Sequence, residues 1–163
     1  MTNPACGRIL ILSLCACTLL LGCSDDENPL IDLNDSSTLA GSYRLVSVTD
    51  YSGEMGPATG ITFVSGEPVS IQVEEGVTAT MTITGTLTLT ETRYSMSMTV
   101  TMAALGASNS DTTTDTGTYS IQGSTMTIVS DDEGEGPDSM TITVDGNKIT
   151  LKDSDMNIVF EKQ

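Results

Sequence analysis

From Gly41 onward, apolar and polar residues alternate with a period of two, the spacing of strands that bury one face. Val69, Ile71 and Val73 alternate with Ser70 and Gln72. Val77, Ala79, Met81, Ile83, Gly85, Leu87 and Leu89 then hold the odd positions, separated by six Thr residues from Thr78 to Thr88. At Glu91-Thr92-Arg93 the parity flips, and Tyr94, Met96, Met98, Val100 and Met102 take the even positions. A slip of one residue exchanges the two faces of a strand, so the flip predicts a turn or bulge at 91–93. An earlier strand begins around Tyr43, Leu45 and Val48. Beyond Cys23, no stretch of roughly ten residues has the 3.6-residue period of an amphipathic helix.

The last third of the chain repeats itself. Ile121-Gln-Gly-Ser-Thr-Met-Thr-Ile128 aligns with Val144-Asp-Gly-Asn-Lys-Ile-Thr-Leu151, 23 residues further on. Each unit reads as strand, tight Gly-containing turn, strand: a β-hairpin. Met156-Asn-Ile-Val-Phe160 adds a final strand. The sum is an all-β antiparallel meander of roughly eight to ten strands. Such a meander must protect its edges, and closure into a barrel does so completely. The expected fold is therefore an eight- to ten-stranded barrel over 41–163, with a two-sheet β-sandwich as the alternative. No Cys or Trp in this region marks an immunoglobulin-type core. Ala103 to Thr116, 14 mostly polar residues after a long strand with Asn109 to Asp115 at the tip, is expected to be a long loop.

The N-terminus has a different pattern. Arg8 precedes an almost unbroken apolar run from Ile9 to Leu21. As a helix that run would be about 20 Å long, short of a bilayer core of about 30 Å and suited to a signal-peptide h-region. It ends in Leu20-Leu21-Gly22-Cys23, which resembles the lipobox of bacterial lipoprotein signal peptides. The resemblance implies cleavage after residue 22 and acylation of Cys23, so that two or more acyl chains anchor the protein to a membrane. Ser24 follows the Cys, where an Asp would favour inner-membrane retention in enteric bacteria. Asp25-Asp26-Glu27 is similar to the acidic surface-export signal of some Bacteroidetes lipoproteins, but its first reading is an ordinary solvated acidic tether. The expected organisation is a signal peptide over 1–22, a lipidated Cys and acidic flexible tether over 23–40, and one domain over 41–163.

Composition narrows the chemistry. The chain carries 22 acids against 6 bases, a net charge of -16, and no His. Nucleic acid is an unsuitable partner for such a surface, because phosphate binding needs clustered Lys and Arg. The commonest metal ligand and the commonest general base are missing together. Cys6, Cys15 and Cys17 lie in the removed segment, leaving Cys23 alone and no disulfide or thiol site. With 22 of 163 residues removed, 141 remain, enough to bury a core unaided. A Ser or Thr nucleophile would lack its usual base, and no phosphate loop or dinucleotide fingerprint is present. Glu74 and Glu75 sit beside Gly76 at an expected hairpin turn. A noncatalytic protein without a cofactor is the expectation.

Two clusters remain. Asp131 to Asp138 holds five carboxylates in eight residues, without the alternate spacing of an EF-hand loop, and reads as a solvated hairpin loop. Met81, Met96, Met98, Met102, Met126, Met140 and Met156 fall at inward positions. They could hold Cu(I) through their thioethers, fill irregular gaps in a core, or line an apolar pocket. For the last reading the candidate ligand-binding residues are Met81, Tyr94, Met96, Met98, Met102 and Met126.

Leu39-Ala-Gly-Ser-Tyr43-Arg-Leu-Val-Ser47 resembles the opening of bacterial lipocalin-like domains, where Gly-x-Trp or Gly-x-Tyr begins the first strand. The ladders at 87–96, 117–121, 140–151 and 158–160 resemble that family too, so the likeness runs over 39–162. It implies a barrel that binds a small apolar or amphipathic ligand without catalysis. Tyr43 stands where true lipocalins place Trp, and Lys162 rather than Arg would have to cover its ring. Taken together, the expectation is a lipid-anchored protein of the bacterial cell envelope, at the outer membrane in a Gram-negative cell. The alternative is an envelope structural or protein-interaction module whose barrel is filled.

Overall fold

The computed structural model describes residues 31–33, 35–53, 60–74, 76–132, 134 and 136–163. The apolar run, Cys23 and the first part of the acidic segment lie outside the described residues. A one-turn helix, α1 (Ser36–Leu39), precedes ten strands: β1 (Gly41–Asp50), β2 (Ile61–Val64), β3 (Val69–Glu74), β4 (Val77–Leu89), β5 (Arg93–Ala104), β6 (Ala107–Gln122), β7 (Thr125–Ser130), β8 (Asp138–Asp145), β9 (Lys148–Lys152) and β10 (Met156–Lys162). Every pairing is antiparallel, as the meander pattern predicts. The parity flip at 91–93 is the β4–β5 turn, and the repeated units turn at Gly123 and Gly146, both with positive φ.

Strands β4 to β10 pair in sequence, and β1 pairs with both β10 and β4, which closes an eight-stranded ring. The ring is uneven at one seam. The first half of β1 pairs with β4, from Gly41↔Leu89 to Arg44↔Thr86. The second half pairs with β2 instead, from Ser47↔Val64 to Asp50↔Ile61. Likewise, β4 gives its first residues to β3, with Val69 opposite Met81. The seam is thus zipped at one end and parted at the other, where β2 and β3 line the gap. A bulge between Leu45 and Ser47 marks the change of partner. It also explains why the buried positions of β1 run Tyr43, Leu45, then Val48 and Asp50: one extra residue shifts the alternation. Opposite this point, β4 carries Gly85, where a Cβ would meet the Ser97 carbonyl oxygen at 2.9 Å.

The core runs through both halves of the ring. Tyr43, Leu87 and Leu89 are buried where β1 meets β4, and Val48, Phe63, Ile71, Ala79 and Met81 are buried where β2 and β3 line the gap, with Leu45, Ile83, Ile142, Ile149, Phe160 and Met126 also buried. Outward Thr and Ser hydroxyls pair across the strands, as between Thr99 and Thr112 at 2.8 Å and Thr101 and Ser110 at 2.8 Å. These cross-strand pairs give the exposed Thr rows a structural role. Asp50 is the one buried charged residue in the described core; its Oδ1 accepts from Ser52 N at 2.9 Å and Ser52 Oγ at 2.6 Å, fixing the turn that leaves β1.

Two expectations are corrected. The stretch from Ala103 to Thr116 is not a loop: it completes β5 and forms the first ten residues of β6, around the two-residue turn Leu105-Gly106. Both turn residues have positive φ, 52° and 79°, the geometry of a type I′ hairpin turn. The segment from Ile31 to Leu39, placed by its polarity in the tether, packs against the ring. Ile31 and Leu39 are buried and Leu33 lies against the core. Three contacts hold it: Leu39 seals the zipped end, its carbonyl accepts from Tyr43 Oη at 2.6 Å, and Lys162 Nζ donates to the Thr38 carbonyl at 2.6 Å. Lys162 Nζ also stands 5.8 Å from the Tyr43 ring centroid, a cation–π contact in the place where the sequence put it.

Candidate ligand cleft at the open end

The β5–β6 hairpin reaches beyond the closed part of the ring. Its ladder runs from Arg93↔Thr118 to Ala104↔Ala107 without a shift. Even positions of β5 and odd positions of β6 therefore share one face along its whole length. That face begins at the ring interior with Tyr94, Gly117 and Tyr119, all buried. It passes through half-buried Met96, Met98 and Val100 and emerges at Met102, which is 38% exposed. Near the tip it forms an open cleft of about 460 Å³, with Val100, Met102, Ala104 and Ala107 on its apolar side and Ser108, Asn109 and Asp111 on its polar side. Along this face exposure rises from buried Tyr94 to Met102, while Met81, opposite Met102 on β4, stays buried.

The candidate residues separate along that axis. Met102 lines the cleft, while Met96 and Met98 continue its face inward. Tyr94 lies at the buried base of the same face. Met81 is buried on β4 opposite Met102 in the ladder, and Met126 is buried on β7 between Ile121 and Met140. Met140 borders a separate, mainly polar hollow of about 740 Å³ beside Asp138, Thr141, Lys152 and Asp153. Asp131 to Asp138 spans the β7–β8 connection, as expected, with Asp131 ion-paired to Arg93. Among the described residues no group of three or more Cys, Asp or Glu side chains is arranged to hold a metal.

Polar groups that periodicity could not mark organise the base of the face. Tyr94 Oη donates to Asp115 Oδ2 at 2.7 Å, and Ser130 Oγ donates to Asp115 Oδ1 at 2.8 Å. Burial, reinforced by the Asp115 carboxylate, pushes the Tyr94 hydroxyl up to about 12. Burial likewise pushes Tyr43 up to about 12 and raises Tyr119, whose Oη donates to the Thr90 carbonyl at 2.6 Å. A tyrosine pKa raised on folding stabilises the protein fully below the unfolded value near 10, and that stability is lost as pH rises through the folded value. The urea midpoint is therefore expected to hold up to about pH 10 and to fall between about pH 10 and pH 12. Phenolate absorbance should lag behind that of the urea-unfolded chain. Superimposable folded and unfolded titrations would contradict this packing.

No family model matches the chain, and no curated protein matches it. Among solved structures, the crystal structure of a lipocalin-like protein from Bacteroides uniformis ATCC 8492 is similar to it: the alignment covers 77% of this chain and 98% of that one, at 15% sequence identity and a TM-score of 0.45. The strand pairings define the eight-stranded ring independently of that likeness.

Proposed function

We propose that this chain is a noncatalytic binder of a small apolar or amphipathic molecule, held at the bacterial cell envelope by acyl chains on Cys23. The observation that carries the binding reading is the cleft on the inner face of the β5–β6 hairpin. Its volume of about 460 Å³ falls in the range of small-molecule sites, and its apolar floor is continuous with the Met96–Met98 stripe. Methionine side chains adapt to ligands of different shape, which suits them to such a floor. The test is a titration with a neutral dodecyl maltoside below its micelle concentration. Met102→Asp places a charge on the floor and is expected to weaken binding about tenfold or more. Val129→Asp, on the exposed face of β7, should leave it unchanged. Equal binding by both variants, or none by the parent, would remove the cleft as the site.

The anchor is tested separately. Cys23→Ser is expected to block acylation and processing, shifting the protein out of the membrane fraction. Unchanged membrane fractionation of that variant would overturn the lipoprotein reading. The second reading, an interaction module, draws on the outer edge of β6, which pairs only with β5 over 107–114 and is exposed throughout. Such an edge can accept a partner strand. Substitution of Thr112 by Pro would abolish that mode, and an in-cell crosslinking pattern unaffected by it would speak against this alternative.

A further inference from the structure

Resting on the binding reading, we propose that the molecule taken up is a cationic amphiphile, its positive head at Asp111 and its apolar part on Val100, Met102 and Ala104. The two sides of the cleft differ in kind. The β5 side is hydrocarbon and thioether; the β6 side presents Asn109 opposite Met102 and Asp111 opposite Val100 in the same ladder. An apolar surface beside a carboxylate is complementary to a molecule with a tail and a positive head.

Asp111 differs from the next carboxylate on its face. Asp115 has both oxygens occupied, by Tyr94 and Ser130. Asp111 is exposed, lines the cleft, and has no hydrogen bond or ion pair among the described residues, so its charge is free to meet a ligand. Nor does any base compensate it there. The mature chain has five bases, and none lines the cleft. Arg44 is paired with Glu161, Arg93 with Asp131, and Lys162 is bound to the Thr38 carbonyl at the sealed end. Lys148 and Lys152 both lie on β9. An anionic head would meet the unneutralised field of Asp111, and a neutral one would gain only the apolar wall.

The experiment is calorimetric titration of the full chain with three amphiphiles of equal tail length below their micelle concentrations: dodecyltrimethylammonium, dodecyl maltoside and dodecyl sulfate. The cation should bind tightest and the sulfate weakest. Asp111→Asn should weaken the cation about threefold to fivefold, the size expected of an ion pair open to solvent, and leave the maltoside unchanged. Asp111→Lys should move the preference toward the sulfate. Asp145→Asn, which removes the same charge from the exposed end of β8, should have no effect. Equal affinity for cation and maltoside, with Asp111→Asn silent, would overturn this proposal while leaving the binding reading intact. An equal loss in Asp145→Asn would also overturn it, as attraction to net charge alone. No binding of any of the three would overturn the binding reading itself.

Discussion

Replacing Gly117 by Ala is expected to cost about 3 kcal/mol or more and to lower Tm by roughly 10 °C or more. Gly117 lies in β6 opposite Ser130 on β7 and Tyr94 on β5. Its backbone conformation is open to any residue; what is missing is space. A Cβ there would overlap the Val129 carbonyl oxygen and stand 2.8 Å from Tyr94 Cε1. The oxygen belongs to the main chain of the neighbouring strand, so no rotamer change relieves the overlap. Either the β6–β7 pairing opens or Tyr94 leaves its place, and with it the bond to Asp115. Gly136→Ala is the matched control. It lies in the β7–β8 connection with nothing within 4 Å of the added atom, so its effect should fall within about 0.5 kcal/mol of zero. Equal Tm values for the two variants would mean that the β5–β6–β7 contact is not as described.

Tyr43→Ala should be as damaging, with a loss of about 3–5 kcal/mol, because it empties a fully buried aromatic site at the sealed end. The position also joins three parts of the chain: β1 itself, Leu39 through the Tyr43 hydroxyl, and Lys162 over the ring. The contributions can be separated. Tyr43→Phe keeps the ring and leaves the Leu39 carbonyl without that donor, a cost of about 1–2 kcal/mol. Lys162→Met removes the cation and its bond to Thr38, costing about 1 kcal/mol. Denaturant unfolding monitored by circular dichroism measures all three. A Tyr43→Ala variant as stable as the parent would show that the contacts of Tyr43 with Leu39 and Lys162 do not seal the ring.

Much of this fold is written in local pattern. The six alternating Thr residues, the parity flip at 91–93 and the two Gly turns each state a strand or a turn without reference to the rest of the chain. The bulge in β1 is visible too, in the step from Leu45 to Val48. What escapes is structure that creates no alternation. The first part of β6 is wet on both faces, so apolar periodicity cannot register it; the run Thr112-Thr113-Thr114 was the available signal, through strand propensity. The apolar residues of Leu30-Ile31-Asp32-Leu33 and Leu39 are too few to set a period, and the contacts of Ile31, Leu33 and Leu39 with the ring are what explain them. The same holds for the cleft. Periodicity puts seven methionines on inward faces, but it cannot say how far each lies from the sealed end. Met126 and Met102 have the same local pattern and opposite surroundings. Asp111 and Asp115 lie in a stretch that reads as loop, and no spacing marks one as bonded and the other as open.

On the proposed reading, a ligand enters along the inner face of the β5–β6 hairpin and stops above the buried Tyr94 and Tyr119 at its base. Nuclear magnetic resonance of methyl-labelled methionine reads this directly, because the methionines mark successive depths. On addition of dodecyltrimethylammonium, the Met102 methyl should shift most and Met98 less, while buried Met126 stays unchanged. Saturating shifts confined to Met126, Met140 or Met156, or no shift at Met102, would contradict it.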